Sequence, residues 1–127
     1  MIPGKKGDHP SFLESFTYAF KGLAFTIKTE RNIKVMLACA AVVVVLGFAL
    51  QLDPVSWAIV LLCCGVVLGA ELLNTAIETV VDLVSPEFDP LAGHAKDVAA
   101  AAVWVTSIFV GAVGVIVFAN AILAKLG

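Results

Sequence analysis

A chain of 127 residues suffices for one domain, but 61% of it is hydrophobic and its formal net charge is only −2. The mean hydropathy of +1.03 lies well above that of soluble domains, in which roughly half the residues are apolar. A water-soluble globular fold is therefore excluded, and the question becomes how often the chain crosses a bilayer. No nucleic-acid partner is expected.

Residues 1–10 are rich in Gly, Pro and Lys and are expected to form a disordered tail. From 11 to 34, Phe12, Phe16, Phe20, Leu23 and Ile27 recur at helical spacing among charged residues. This pattern predicts an amphipathic helix that lies in the membrane interface or packs its apolar face on the bundle. Charge is then absent between Lys34 and Asp53, between Asp53 and Glu71, and between Asp97 and Lys125. A spanning helix needs about 17–25 mostly apolar residues, which predicts three transmembrane helices over 35–52, 54–84 and 90–124. Asp53-Pro54 and Asp89-Pro90 each supply a capping carboxylate followed by proline at the first helical position. The expected fold is an all-α membrane protein, with an N-terminal amphipathic surface helix and three transmembrane helices in one domain over 1–127.

A cleavable signal peptide is not expected, because the first apolar run starts only at Val35 and is too long for a signal core. Cys39, Cys63 and Cys64 sit in apolar runs without a CxxC spacing and read as small buried hydrophobes. Positive charge is distributed unevenly. Lys5, Lys6, Lys21, Lys28, Arg31 and Lys34 all precede the first span, and Lys96 follows the second connection. The positive-inside rule then predicts a cytoplasmic N-terminus and an extracytoplasmic C-terminus.

The second predicted span carries the most informative pattern. Glu71, Asn74, Glu78 and Asp82 are spaced by 3, 4 and 4 residues, which sets all four on one stripe of a helix. A carboxylate deep in a bilayer costs roughly 3 kcal/mol on insertion scales, so such a stripe calls for a function. A helix from Pro54 to Val84 would be about 46 Å long at 1.5 Å per residue, against a hydrocarbon core of about 30 Å. Glu71 then falls just inside the inner interface, while Glu78 and Asp82 stand in the cytoplasmic layer. Glu30, Lys96 and Asp97 are expected at the same level. Carboxylates with an amide are hard oxygen ligands suited to Mg²⁺, and a lysine is a point charge for phosphate. Glu71, in the driest part of the stripe, is the candidate general base. These are the parts of a phosphoryl-transfer site, although no Walker A sequence or kinase-type glycine loop is present.

The string Glu-Leu-Leu-Asn-Thr-Ala-Ile-Glu-Thr-Val-Val-Asp at 71–82, Ala-Lys-Asp at 95–97, and Lys21-Gly22-Leu23 ahead of Glu30 resemble the prokaryotic diacylglycerol kinase family. The resemblance covers about residues 15–120. It implies a small three-span kinase that phosphorylates lipid alcohols with ATP and Mg²⁺, as a homotrimer with sites shared between subunits. By the same resemblance, Glu71 is the base on the lipid hydroxyl, Glu30 and Glu78 hold the metal, and Asn74 and Asp82 support them. Lys96 and Asp97 contact the nucleotide, and Tyr18, Glu87 and Asp89 line its site. Capping of the third span explains Asp89 equally well. Lys21 is expected at the lipid headgroup. Family members often carry basic residues near Ser11 and at the position of His94, where this chain departs from them. The triplet Glu30-Arg31-Asn32 resembles the branch that prefers undecaprenol, with diacylglycerol as the alternative acceptor. The competing reading from the residues alone is an oligomeric cation channel that uses the carboxylates as a ring. Lys96 speaks against it, since a lysine opposes cation passage.

Overall fold

A computed structural model describes residues 10–127, and among these all regular structure is helical, with no strand. The expected disordered tail (apart from Pro10), with Lys5 and Lys6, lies outside the described residues. The helices are α1 (Phe12–Thr29), α2 (Arg31–Ala49), α3 (Pro54–Val84) and α4 (Pro90–Leu126). The last three are long and apolar enough to cross a membrane. Pairing of α3 with α4 dominates the packing; α2 lies against α3, and α1 touches α2 and α3 sparsely. Few side chains are buried, and large apolar residues cover the outer faces of the spans. That is the inverse of a soluble core, as expected of helices solvated by hydrocarbon.

Each helix starts for a local reason. At α1, Ser11 Oγ accepts from the Glu14 N–H at 3.3 Å and Glu14 Oε2 accepts from the Ser11 N–H at 2.7 Å, a reciprocal capping box. The bond from the Ser11 N–H holds the Glu14 carboxyl below its ordinary range. That contribution is therefore present above the ordinary carboxylate pKa and is lost as pH falls through the lowered value. Asp53 accepts from the Ser56 N–H at 3.0 Å and from Ser56 Oγ at 2.8 Å. Asp89 accepts from the N–H groups of Leu91 and Ala92 at 2.8 and 3.1 Å. Both prolines occupy the first turn, where no N–H is missed.

One boundary differs from the sequence pattern. Helix α1 stops at Thr29 and α2 begins at Arg31, with Glu30 alone between them in extended conformation (φ −108°, ψ 130°). Its N–H still closes on Thr26 O at 2.8 Å. The apolar steps of α1 end at Ile27 and are followed by Glu30 and Arg31, and nothing in the sequence pattern marks the change of direction. The surface helix is thus shorter than 11–34 and the first span longer at its start. The end of α2, at Ala49, also falls short of residue 52.

At the opposite end, the α2–α3 hairpin is closely packed. Gln51 takes a positive φ of 52°, and the Leu52 N–H returns to Gly47 O at 3.0 Å. A Cβ on Gly47 would come within 2.7 Å of the Trp57 ring, so only glycine admits the indole. Trp57 also meets Phe48, with ring centroids 4.9 Å apart. Trp57 and Phe118 pack against the buried cluster of Leu52, Val60 and Val117, which draws α4 to the hairpin. Lys125 Nζ reaches Gln51 Oε1 at 3.4 Å. The three spans are therefore pinned together at the hairpin end. Gly47→Ala is expected to lower unfolding stability in detergent by about 1–3 kcal/mol through overpacking. An unchanged midpoint in a denaturant titration would contradict this tight contact.

Candidate active site

Toward the α1 end, an open cleft of about 600 Å³ lies between the spans. One stripe from each helix lines it: Asn32 and Met36 from α2, Glu71, Asn74 and Glu78 from α3, and Asp97 with Trp104 and Ser107 from α4. These positions recur at steps of three and four along their helices, the spacing of neighbours on one helical face. Glu71, Asn74 and Glu78 of the predicted stripe thus face the interior of the bundle, while Asp82 stands exposed outside the cleft.

Glu71 is 1% exposed, and neither carboxylate oxygen has a hydrogen-bond partner. Asn74, 8% exposed, leaves its Oδ1 unpaired, while its Nδ2 donates weakly to Glu78 Oε1 at 3.4 Å. The helix cannot satisfy them, because its N–H groups are already committed. Thr75 and Thr79 donate their hydroxyls back to the carbonyls of Glu71 and Thr75, at 3.0 and 2.8 Å. Glu30 and Glu78 stand near enough for their charge to act on Glu71. A buried acceptor without a donor costs on the order of 1–3 kcal/mol, and native structures hold few of them. Three such oxygens facing one cleft suit a ligand that brings an O–H donor or a cation.

The donor set fits a hard divalent cation, since carboxylate and amide oxygens are its usual ligands. Among the described residues, however, no three acidic, Cys or His side chains converge closely enough to hold a metal unaided. An ion here would need further oxygens from a nucleotide or water.

The remaining predicted residues divide between the cleft and its surroundings. Asp97 lines the cleft. Lys96 does not, and its Nζ instead pairs with Asp82 Oδ1 at 2.7 Å on an exposed rim, where it ties α4 to α3. Glu30 forms the bend between α1 and α2. Tyr18 and Lys21 share a face of α1, with the Lys21 ammonium 5.8 Å from the Tyr18 ring centroid. Glu87 and Asp89 lie in the α3–α4 connection, and the Asp89 carboxylate is used as the α4 cap. Neither connection residue nor either α1 residue lines the cleft. Two polar lining residues were not singled out as site residues from sequence. Asn32, a polar amide at the second residue of a membrane helix, carried a usable signal. Ser107 carried none, because a lone serine in an apolar helix commonly bonds its own backbone.

A family profile described as prokaryotic diacylglycerol kinase matches residues 17–118. The chain belongs to the prokaryotic diacylglycerol kinase family. It is 41% identical over 107 residues to an undecaprenol kinase of Bacillus subtilis (strain 168), covering 84% of this chain and 87% of that protein. It is 38% identical to a diacylglycerol kinase of Synechocystis sp., over 83% of this chain and 61% of that protein. With a diacylglycerol kinase of Helicobacter pylori (strain ATCC 700392 / 26695) the identity is 32%, over 85% of this chain and 84% of the other. This protein is therefore a membrane-embedded lipid kinase, and its chemistry is phosphoryl transfer to a lipid alcohol. The channel reading falls away.

The unpaired Glu71 oxygens carry a stability consequence. Glu71→Gln keeps the shape, removes a buried charge and adds donors that can reach Asn74 Oδ1. The variant is expected to unfold no more easily than the wild type, and up to roughly 1 kcal/mol less easily. A clear drop in thermal midpoint in detergent would contradict an unsatisfied carboxylate.

Proposed function

We propose that this kinase transfers the γ-phosphoryl group of ATP to the hydroxyl of undecaprenol, giving undecaprenyl phosphate and ADP. The observation that carries the reading is the buried Glu71 carboxylate, without a partner, in a cleft between apolar helices. In this reading the lipid hydroxyl donates to Glu71, which orients it and accepts its proton as the new O–P bond forms. The bond between the γ-phosphorus and the β–γ bridging oxygen breaks, and ADP departs. Glu71 then releases the proton toward the aqueous end of the stripe.

Glu30 and Glu78 would hold Mg²⁺, which neutralises charge on the ATP phosphates when bound. Asn74, bonded to Glu78, keeps that carboxylate directed into the cleft, and Asp97 faces the same space from α4. Lys96 supplies a phosphate cation from the rim, where Asp82 keeps it close. Tyr18, Glu87 and Asp89 complete the nucleotide's surroundings, and Lys21 meets the lipid headgroup region. No lysine or arginine lines the cleft among the described residues, and Cβ atoms built on Gly65 and Gly69 meet nothing within 4 Å. Both features favour assembly as a homotrimer in which a neighbouring copy closes the site. Basic residues Lys21, Lys28, Arg31 and Lys34 at the α1 end favour a cytoplasmic placement of that end in the bacterial cytoplasmic membrane, with the C-terminus opposite. Undecaprenol is preferred as acceptor on the 41% identity to the Bacillus enzyme. Diacylglycerol is the second reading, carried by the 38% and 32% relatives.

The test is transfer from labelled ATP with Mg²⁺ in mixed micelles that offer undecaprenol and diacylglycerol in parallel. Label is expected chiefly in undecaprenyl phosphate, and Glu71→Gln is expected to lower turnover by about 10²–10⁴, the usual weight of a general base, with nucleotide binding retained. Predominant phosphatidic acid would reverse the acceptor, and full turnover in the variant would remove Glu71 from its role. Chelation of Mg²⁺ is expected to abolish transfer, and Glu78→Gln to raise the Mg²⁺ concentration needed for half-maximal rate. A normal Mg²⁺ titration in that variant would take Glu78 out of the metal site.

A further inference from the structure

Two polar groups in the cleft have no part in the reaction described above, Asn32 of α2 and Ser107 of α4. Contacts at the two ends of the bundle set their height. On α3, Glu71 lies eleven residues from Val60 and eleven from Asp82; on α4, Ser107 lies ten from Val117 and eleven from Lys96. Val60 and Val117 share the cluster at the hairpin end, and Asp82 pairs with Lys96 at the other. Likewise, Asn32 precedes Gly47 by fifteen residues and Glu71 follows Trp57 by fourteen, where the Trp57 ring packs on Gly47. Asn32, Glu71 and Ser107 thus form one layer, level to about 1.5 Å at the rise of one helical residue, with one side chain from each span. Beyond it, toward the hairpin, the same helices line an apolar groove of about 560 Å³. This is the last polar layer of the cleft.

Ser107 also differs from the other small hydroxyls. Every threonine donates to a carbonyl of the preceding turn. Ser11, Ser15, Ser56 and Ser85 are hydrogen-bonded as well. Among the serines and threonines of the described residues, Ser107 alone keeps its hydroxyl out of any hydrogen bond, although a helical serine can bond back to its own turn. The Asn32 amide closes no hydrogen bond either. It lies near enough to the Glu71 carboxylate to act on it as a donor, at a longer reach than a closed bond. An unpaired carboxylate, an unused amide and an unused hydroxyl therefore face one space at one depth.

We infer that this layer holds the acceptor's alcohol oxygen: Ser107 donates to the oxygen, and Asn32 donates to the Glu71 carboxylate and keeps it turned toward the hydroxyl. The inference rests on the proposed lipid-alcohol reaction and adds two residues to it. An alcohol has one O–H and two lone pairs. During transfer the proton passes to one Glu71 oxygen. One lone pair forms the bond to the γ-phosphorus as the bond to the β–γ bridging oxygen breaks. The second lone pair is left to accept from Ser107, and the other Glu71 oxygen is left to accept from Asn32. Three helices thus orient an oxygen that its own apolar chain leaves free to rotate, and such orientation lowers the barrier at a reacting centre. Ser107 touches the substrate, whereas Asn32 is a positioning residue that acts through Glu71. The alcohol oxygen is common to undecaprenol and diacylglycerol, so the assignment holds for either acceptor.

The test is the transfer kinetics of Ser107→Ala and Asn32→Leu, with undecaprenol and with diacylglycerol as acceptor. Asn32 is exposed and Ser107 half-buried, so neither change empties a packed core. The thermal midpoint in detergent and KM for ATP are expected to stay at their wild-type values. Ser107→Ala is expected to raise KM for the lipid alcohol about two- to tenfold, the weight of one neutral hydrogen bond, with kcat little changed. Asn32→Leu is expected to lower kcat about ten- to a hundredfold, the effect of misplacing a reacting group, with KM for the lipid unchanged. Placed in a Glu71→Gln background, Asn32→Leu is expected to add no further loss, because the two residues act as a unit. A wild-type lipid KM in Ser107→Ala overturns the inference, as do additive losses for Asn32→Leu and Glu71→Gln. Should Asn32→Leu lower the midpoint, Asn32→Asp takes its place, with the same shape but no donor. Its kcat is expected to fall at least as far, and an unchanged kcat overturns the role of Asn32. A wild type that phosphorylates neither lipid overturns the acceptor reaction itself, and this assignment with it.

Discussion

A carboxylate must be kept out of hydrocarbon yet within reach of a hydroxyl that is itself anchored in hydrocarbon. In the proposed mechanism that constraint falls on Glu71, and the rest of the bundle is arranged around it. Placing the group on a transmembrane helix sets its depth. Burying it between three helices shields it from lipid. Leaving both oxygens without a donor preserves their acceptor capacity for a ligand. A better-satisfied Glu71 would make a more stable protein and, in its proposed role, a poorer base, the familiar opposition between stability and function at reactive sites.

The two ends of the bundle answer different demands. At the hairpin, Gly47 admits the Trp57 indole, Phe48 packs against it at a tilt, and the Leu52–Val60–Val117 cluster draws in α4. Dense packing there compensates for the absence of a hydrophobic driving force between helices in lipid. Toward the α1 end the space between the same helices is divided by chemistry into a polar cleft and an apolar groove. The single extended residue Glu30 then turns the chain from the surface helix into the first span, and brings a further carboxylate to the cleft level.

Electrostatics at the rim complement this arrangement. Lys96 and Asp82 pair across α3 and α4 where water screens them, so the contact adds little to stability. Its effect is positional, because it stations a cation beside a cleft whose own lining is acidic and amide-bearing. The α1 helix has the same character. Its capping box and the Tyr18–Lys21 contact order a short amphipathic segment whose phenylalanines remain exposed for the interface.

Much of this was determined by sequence alone, and for a local reason. Helix starts at Asp53-Pro54 and Asp89-Pro90, three uncharged runs, and the 71–74–78–82 stripe depend on neighbours within a turn or two, so spacing carries them. The pattern failed where partners come from elsewhere in the chain. Periodicity reports which face is apolar and is blind to the one-residue change of direction at Glu30. Lys96 was expected to share the cleft with Asp97, yet adjacent helical residues point about 100° apart, and Asp82 drew the lysine to the rim. Asn32 and Ser107 became site residues only because α2 and α4 face α3 at that depth. Sequence determined which side chains could do chemistry and at what depth in a membrane. Tertiary structure decided which of them meet, since that depends on how three helices cross, a matter of packing between residues far apart in the chain.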